Sequence, residues 1–391
     1  MKARLFISTG EVSGDLQGAL LVKALKQQAT QQGFDLEIVA LGGDRMAAAG
    51  AQLLGNTMAI GSIGILESLP YVLPTLQIQR DAKQYLRQHP PDLVVLIDYL
   101  GPNLNLGNYI KRHLPQVPII YYIAPQEWVW SLNSRNTQQI VGIIDRLLAI
   151  FPGEAQYYKQ RGATVTYVGH PLVDRLQHAP SRTQARETLG IPPEQTAIAL
   201  IPASRRQELK YLLPVICQTA QQLQAKLPQV HFWIPLSLET YRQSLEQAIQ
   251  HYGLRATLVV KDSQTVIAAA DLAIAKSGTV NLEIALANVP QIVLYRVNPL
   301  TAWIAKHLLR FSIPFMSPPN LILMEAIVPE FLQDAATPDN ITQAALALLT
   351  DPAQHQQMLS GYQRMRQAIG EPGVCDRAAQ EILSLLTVSS D

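Results

Sequence analysis

Cysteine is scarce. The chain holds two, Cys217 and Cys375, too far apart to suggest a disulfide framework or a metal-ligand spacing, which suits a reducing compartment. The eight histidines are scattered, and neither His-Glu-x-x-His nor Asp-x-Asp occurs, so a resident metal finds no support. A Gly-x-Ser-x-Gly elbow is missing, which removes the Ser-His-Asp hydrolases built on that turn. Neither charge is in excess: 31 basic residues against 30 acidic ones leave a net charge of +1. Nucleic acid, which needs a basic face, is therefore not an expected partner. Long apolar runs are absent too. No stretch reaches the roughly 20 apolar residues that span a bilayer, and the apolar run after Met1 is shorter than a signal peptide needs. The expectation is a cytoplasmic protein, with a peripheral seat on the inner face of the cytoplasmic membrane left open.

What is present is a repeated unit. At 391 residues and 48% hydrophobic composition, the chain is long for one core and divides naturally into two domains of roughly 170 to 190 residues. Residues 3–9 form a strand that runs into Gly10-Glu11-Val12-Ser13-Gly14-Asp15, and Leu16, Ala19, Leu20, Lys23 and Ala24 follow at helical spacing. Strand, small polar turn and helix then recur: 36–41 into Gly42-Gly43-Asp44, 93–97 into Asp98, 119–123 into Ala124-Pro125-Gln126-Glu127-Trp128, 146–150, and 164–168 into Gly169-His170-Pro171. Strands without polar alternation, separated by helices, predict a parallel sheet covered on both faces. In such sheets ligands bind beyond the carboxyl ends of the strands, which is where the polar and aromatic residues gather. Residues 55–74 are apolar but broken by glycine and proline, a buried loop or a cover for a greasy substrate.

The second half repeats the pattern. Composition turns polar between Leu172 and Pro193, which puts a boundary near residue 185. Domains are expected at 1–185 and 186–345, followed by helices over 346–391 that could return to the first domain. Strands at 196–201, 231–234, 258–261, 272–275 and 291–295 make a second Rossmann-like unit. The first delivers Pro202-Ala203-Ser204-Arg205, and an arginine at a strand-to-helix turn can clamp phosphate with two parallel bonds. The strand at 272–275 leads through Lys276 to Ser277-Gly278-Thr279 and a helix carrying Glu283. Such a helix start can receive a phosphate, with Glu283 set to accept from ribose hydroxyls; for the triplet taken alone a plain capped helix is the favoured reading, and the other motifs turn the balance. Residues 300–311 repeat apolar positions at i, i+3, i+4 and i+7 beside Lys306 and Arg310, an amphipathic helix that either packs on its own domain or lies on an anionic membrane. Asp98, leaving a buried strand, is the leading carboxylate for a general base, with Glu11 and Asp15 as competitors and a capping role open for each.

These motifs resemble, in order, the lipid A disaccharide synthase family. The likeness rests on Gly10-Glu11-Val12-Ser13-Gly14-Asp15, Ile97-Asp98 with Asn103, Tyr122-Ile123-Ala124-Pro125 with Trp128 and Trp130, Gly169-His170-Pro171, Pro202-Ala203-Ser204-Arg205, Ser277-Gly278-Thr279 with Glu283, and Pro319-Asn320-Leu321. It covers residues 4 to 345 and implies a GT-B glycosyltransferase, two Rossmann-like domains with parallel sheets facing across a cleft. The implied reaction transfers a diacylated glucosamine from UDP to diacylglucosamine 1-phosphate, with inversion, a β-1,6 link and no metal cofactor. By the same resemblance Asp98 is the base, with Arg205 and Asn320 the other catalytic residues. Ser204, Arg205, Ser277, Gly278, Thr279 and Glu283 hold UDP, while Glu11, Ser13, Gly14, Asp15, Asn103, Trp128 and His170 lie on the acceptor side. A related transferase with another lipid acceptor, a UDP-sugar 2-epimerase and a non-catalytic UDP-sugar binder stay as alternatives, and oligomerisation is open. The chain departs from the family pattern at Leu100, Pro102, Ala203 and Lys276.

Overall fold

Short runs of Val, Ile, Leu and Ala without polar alternation suit a sheet covered on both faces, and most of the thirteen strands among the described residues are of this kind. The computed structural model describes residues 2–10, 12–33, 35–58, 72–129, 134–177, 179–203, 206–260, 262–298 and 314–388. The expected helix at 300–311, most of the segment 55–74, and Glu11, Trp130, Ser204 and Arg205 lie outside them.

The first sheet contains β1 (Lys2–Ser8), β2 (Asp35–Gly42), β3 (Gln52–Asn56), β4 (Leu93–Ile97), β5 (Ile119–Tyr122), β6 (Arg146–Ala149) and β7 (Val165–Tyr167). Its order is β3-β2-β1-β4-β5-β6-β7, and every pairing is parallel. The second contains β8 (Thr196–Ile201), β9 (Val230–Leu236), β10 (Ala256–Val260), β11 (Leu272–Lys276), β12 (Gln291–Tyr295) and β13 (Glu330–Leu332). Its order is β10-β9-β8-β11-β12-β13, again parallel throughout. All five residues of β4 are buried, as unalternating hydrophobicity requires. Each half is thus a Rossmann-like α/β layer in which strand order reverses once, beside β1 and β4 in one half and beside β8 and β11 in the other. Such reversals open a crevice at the strands' carboxyl ends.

The chain divides into Met1–Asp174 with Ile369–Asp391 as unit 1, and Arg175–Ala368 as unit 2. The boundary therefore falls eleven residues before the position expected from composition, for an electrostatic reason. Arg182 pairs with Asp271, and the Arg186 guanidinium reaches the same carboxylate at 3.3 Å. Asp271 Oδ2 also accepts the Ala197 N–H at 2.8 Å, so the helix Arg182–Leu189 is tied to the foot of β8 and β11. The expected third segment, 346–391, is divided as well. The helix Pro352–Ile369 serves unit 2, where buried Tyr362 donates to the Val289 carbonyl at 3.1 Å. The helix Val374–Val388 serves unit 1: Asp174 accepts the N–H groups of Gly373, Val374 and Cys375 at 2.6, 3.1 and 2.8 Å. Among the described residues no helix is long and apolar enough to cross a membrane.

Candidate active site

In unit 1 the strand reversal brings the turn after β1 against the end of β4. Asp98 and Tyr99 both take left-handed backbone, with φ of 45° and 54°, a region that costs an L-residue roughly 1–2 kcal/mol. The surroundings hold them there. The Asp98 N–H donates to the Ile123 carbonyl at 2.9 Å, and its carbonyl accepts from Tyr121 Oη at 2.6 Å and Asn103 Nδ2 at 2.7 Å. Asp98 itself is half-buried at the carboxyl end of β4, the central strand of the sheet. Gly10 lies flat beneath Tyr99, and a β-carbon there would come within 2.2 Å of the ring.

Asn103, expected on the acceptor side, lies directly beneath Asp98. It is fully buried; its Oδ1 accepts from Ser8 Oγ at 2.7 Å and its Nδ2 reaches the Ile97 carbonyl at 3.1 Å as well as that of Asp98. The amide therefore laces β1 to β4 beneath the carboxylate. Asp15 is likewise spent, accepting the N–H groups of Gly43, Arg45 and Met46 at 2.9, 3.2 and 3.1 Å. This caps the helix Asp44–Ala48, whose first donors have no partner within the helix. Ser13 stays partly exposed in the first turn of the helix Val12–Gln31, and Gly14 is buried against Thr9 Oγ1.

Trp128 and His170 form an aromatic row with Phe151, at ring separations of 5.4 and 5.2 Å. His170 is buried and its Nδ1 accepts the Leu172 N–H at 3.2 Å, which leaves the proton on Nε2. Burial lowers its pKa to about 3, so the ring is neutral. Glu154, which sequence reasoning passed over, underlies this row. Its carboxyl accepts from the Ala124, Ile150 and Phe151 N–H groups at 2.7, 2.8 and 3.2 Å. Burial raises it to about 7, against the pull of those three bonds. The signal was in Phe151-Pro152-Gly153-Glu154, a helix start with its acid at the third position. Tyr121 was also missed; its phenol is raised by burial first and by Asp98 second.

In unit 2 the Ser277-Gly278-Thr279 turn follows β11 at the other reversal, and part of its expected donor set is already engaged. The Ser277 N–H donates to the Leu294 carbonyl at 2.8 Å and its Oγ to the Met316 carbonyl at 2.8 Å. The Gly278 N–H donates to Asn281 Oδ1 at 2.8 Å, with φ of 152° at the glycine. The N–H groups of Thr279 and Val280 have no protein acceptor among the described residues, so these, with the Thr279 hydroxyl, are what the turn offers an anion. Glu283, expected at a ribose, pairs with Arg175 at 2.9 Å. It borders a concavity of about 240 Å³ lined also by Leu176, Ser181, Gln264 and Leu286. A larger one of about 310 Å³, lined by Ser134, Thr137, Gln138 and Arg161, contains none of the expected residues.

Asn320 is buried with both ends of its amide saturated. Oδ1 accepts from the Ile327 and Val328 N–H groups at 2.8 and 2.9 Å; Nδ2 donates to the Val328 carbonyl at 2.9 Å and to Glu330 Oε1 at 2.7 Å. Glu330 in turn accepts the Met316 and Ser317 N–H groups at 2.8 and 2.9 Å. Asn320 thus acts on the Ser277 turn through Glu330 and Met316. Among the described residues no three His, Cys, Asp or Glu side chains come together as a metal cage would require.

The chain is similar to known proteins along nearly its whole length. The family model described as Lipid-A-disaccharide synthetase matches residues 5–384. The lipid-A-disaccharide synthase of Gloeothece citriformis is 60% identical over 380 residues, covering 97% of this chain and 99% of that protein. That of Geobacter sulfurreducens is 35% identical over 384 residues, with 98% and 97% covered. Among solved structures, the UDP-GlcNAc 2-epimerase from Neisseria meningitidis bound to UDP-GlcNAc superposes with a TM-score of 0.68 at 12% identity, over 98% of this chain and 100% of that one. CalG4, the calicheamicin glycosyltransferase, gives 0.61 at 15% identity over the whole of both chains. At such identities the structural likeness concerns the fold.

Proposed function

The chain belongs to the lipid-A-disaccharide synthase family, glycosyltransferases of lipid A biosynthesis, and on that premise we propose how its residues divide the work. The donor is UDP carrying a 2,3-diacylated glucosamine, held by unit 2. The acceptor is 2,3-diacylglucosamine 1-phosphate, met by unit 1. Asp98 takes the proton from the acceptor's 6-hydroxyl as that oxygen bonds the donor's anomeric carbon. The bond from that carbon to UDP breaks, its electron pair leaves on the β-phosphate, and inversion gives the β-1,6 link. Thr279 and its neighbouring N–H groups, with Arg205, stabilise the departing diphosphate without a metal. Ser13, at the start of the 20-residue helix Val12–Gln31, seats the acceptor's phosphate at the positive end of the helix dipole. Val72, Leu73 and Leu76, exposed at 45%, 77% and 58% at the start of the helix Val72–Gln88, meet acyl chains at a membrane surface.

The observation that carries this reading is the clamped left-handed pair Asp98-Tyr99, because such strain persists only where surroundings enforce it and clusters at functional sites. Purified protein given both lipid substrates should yield the disaccharide 1-phosphate by mass analysis, in EDTA as well as without it. Asp98→Asn should lower turnover by about a hundredfold or more. A variant that kept near-normal rates would remove Asp98 as the base. Conversion of UDP-N-acetylglucosamine with no acceptor present would favour epimerisation instead.

A further inference from the structure

Lys276 departs from the small residue that the family resemblance leads one to expect before Ser277. It ends β11 at the strand reversal of unit 2, and its side chain turns back over the loop that follows. A β-carbon added to Gly278 would stand 2.6 Å from Lys276 Nζ and 3.4 Å from Cε, so the ammonium lies on the bare backbone of that glycine. A side chain at 278 would displace the ammonium from this position, and glycine adopts the φ of 152° there at little cost. The lysine side chain is 13% exposed, and Nζ is 3.8 Å from Glu208 Oε1, itself 18% exposed. That separation exceeds a hydrogen bond, and the pair is chiefly coulombic. A phosphate oxygen of higher charge can compete with such a counter-ion.

We propose that Lys276 Nζ is a direct ligand of the donor's diphosphate, and that Glu208 keeps the ammonium over Gly278 when no nucleotide is bound. This rests on the reading of unit 2 as the UDP-binding half. The placement is useful because negative charge on the β-phosphate grows as the glycosidic bond breaks, and a largely buried cation already in position strengthens its hold as that charge develops. The flexible stem matters too. A lysine acts as a compact point charge that can follow phosphate through the reaction, where an arginine's planar fork would be more constrained.

The competing role is structural, a tie between the end of β11 and the helix Arg206–Lys226. Calorimetric titration of the full-length protein with UDP, UMP and uridine separates the two. Lys276→Met, of similar length but uncharged, should weaken UDP by about tenfold to a hundredfold, weaken UMP less, and leave uridine unchanged. It should also flatten the salt dependence of UDP affinity. Lys276→Arg should restore most of the loss, and Glu208→Gln should bind UDP as well as wild type or more tightly. UDP affinity within twofold of wild type in Lys276→Met would overturn the inference while leaving UDP binding by unit 2 intact. So would equal weakening of UDP and uridine, the mark of a structural tie. Failure of the wild-type protein to bind UDP would overturn both.

Discussion

Tyr121 donates its hydroxyl to the main-chain carbonyl of Asp98, and its role in holding the turn can be tested apart from the carboxylate's chemistry. Tyr121→Phe keeps the ring's volume and removes one side-chain donor to the Asp98 carbonyl, leaving Asn103 Nδ2 at 2.7 Å. A lost neutral hydrogen bond of this kind costs about 1 kcal/mol of stability. The larger effect is expected on turnover, a fall of about fivefold or more as the strained turn relaxes and the base drifts, with the KM for the donor unchanged. Steady-state kinetics across both substrates would decide it; unaltered kcat with a raised donor KM would contradict the account. The amino-acid sequence marked Asp98 because a buried run ends on a carboxylate. It could not mark Tyr121, whose hydroxyl is one of fourteen and whose partner is a main-chain oxygen 23 residues away. Arg175 is hidden for the same reason. Its pairing with Glu283 spans 108 residues, beyond any local pattern, and Asp15 reads as a loop acid until the helix that it caps is seen 30 residues on.

At the level of elements, most strands legible in advance were runs of buried apolar residues such as Leu93–Ile97, while β7 and β10, with no buried position, were legible from their β-branched residues. The two that escaped are marginal. β3, Gln-Leu-Leu-Gly-Asn, and β13, Glu-Phe-Leu, each hold only two apolar side chains in a row, so neither presents the longer apolar or β-branched run that marks the others. β13 matters nonetheless, because it begins with Glu330. That carboxylate gathers Met316, Ser317 and Asn320 into one buried knot, and Met316 holds the hydroxyl of Ser277. Asn320→Asp would set a second carboxylate against the first and delete both amide donors. The expected cost is about 3 kcal/mol or more, seen as a lower urea midpoint for unit 2 with little change in slope. Asn320→Ala should be milder in charge but should still release the loop. If Asn320→Asp unfolded at the wild-type midpoint, the knot would not be holding this corner.

For the whole chain, the decisive feature is that unit 1 is assembled from two separated segments. Its last helix buries Ala378, Ala379, Ile382, Leu383 and Leu386, and Arg377 donates to the Val168 carbonyl at 3.0 Å from Nη2. Composition suggested helices at the end of the chain without fixing where they divide, because apolar faces of similar character serve both units. Removing residues 370–391 should strip unit 1 of its cooperative unfolding transition and leave that of unit 2 in place, as followed by thermal unfolding with limited proteolysis. A truncated chain with both transitions unchanged would show the helix to be dispensable.

That discontinuity has a consequence for biosynthesis. A ribosome delivers β1 through β7 first, then the whole of residues 175–368, and only afterwards the helix Val374–Val388 that completes the opening sheet. At about 5–20 residues per second, the nascent first half waits roughly ten to forty seconds with one flank uncovered. The half that is translated second is therefore the first whose parts are all available.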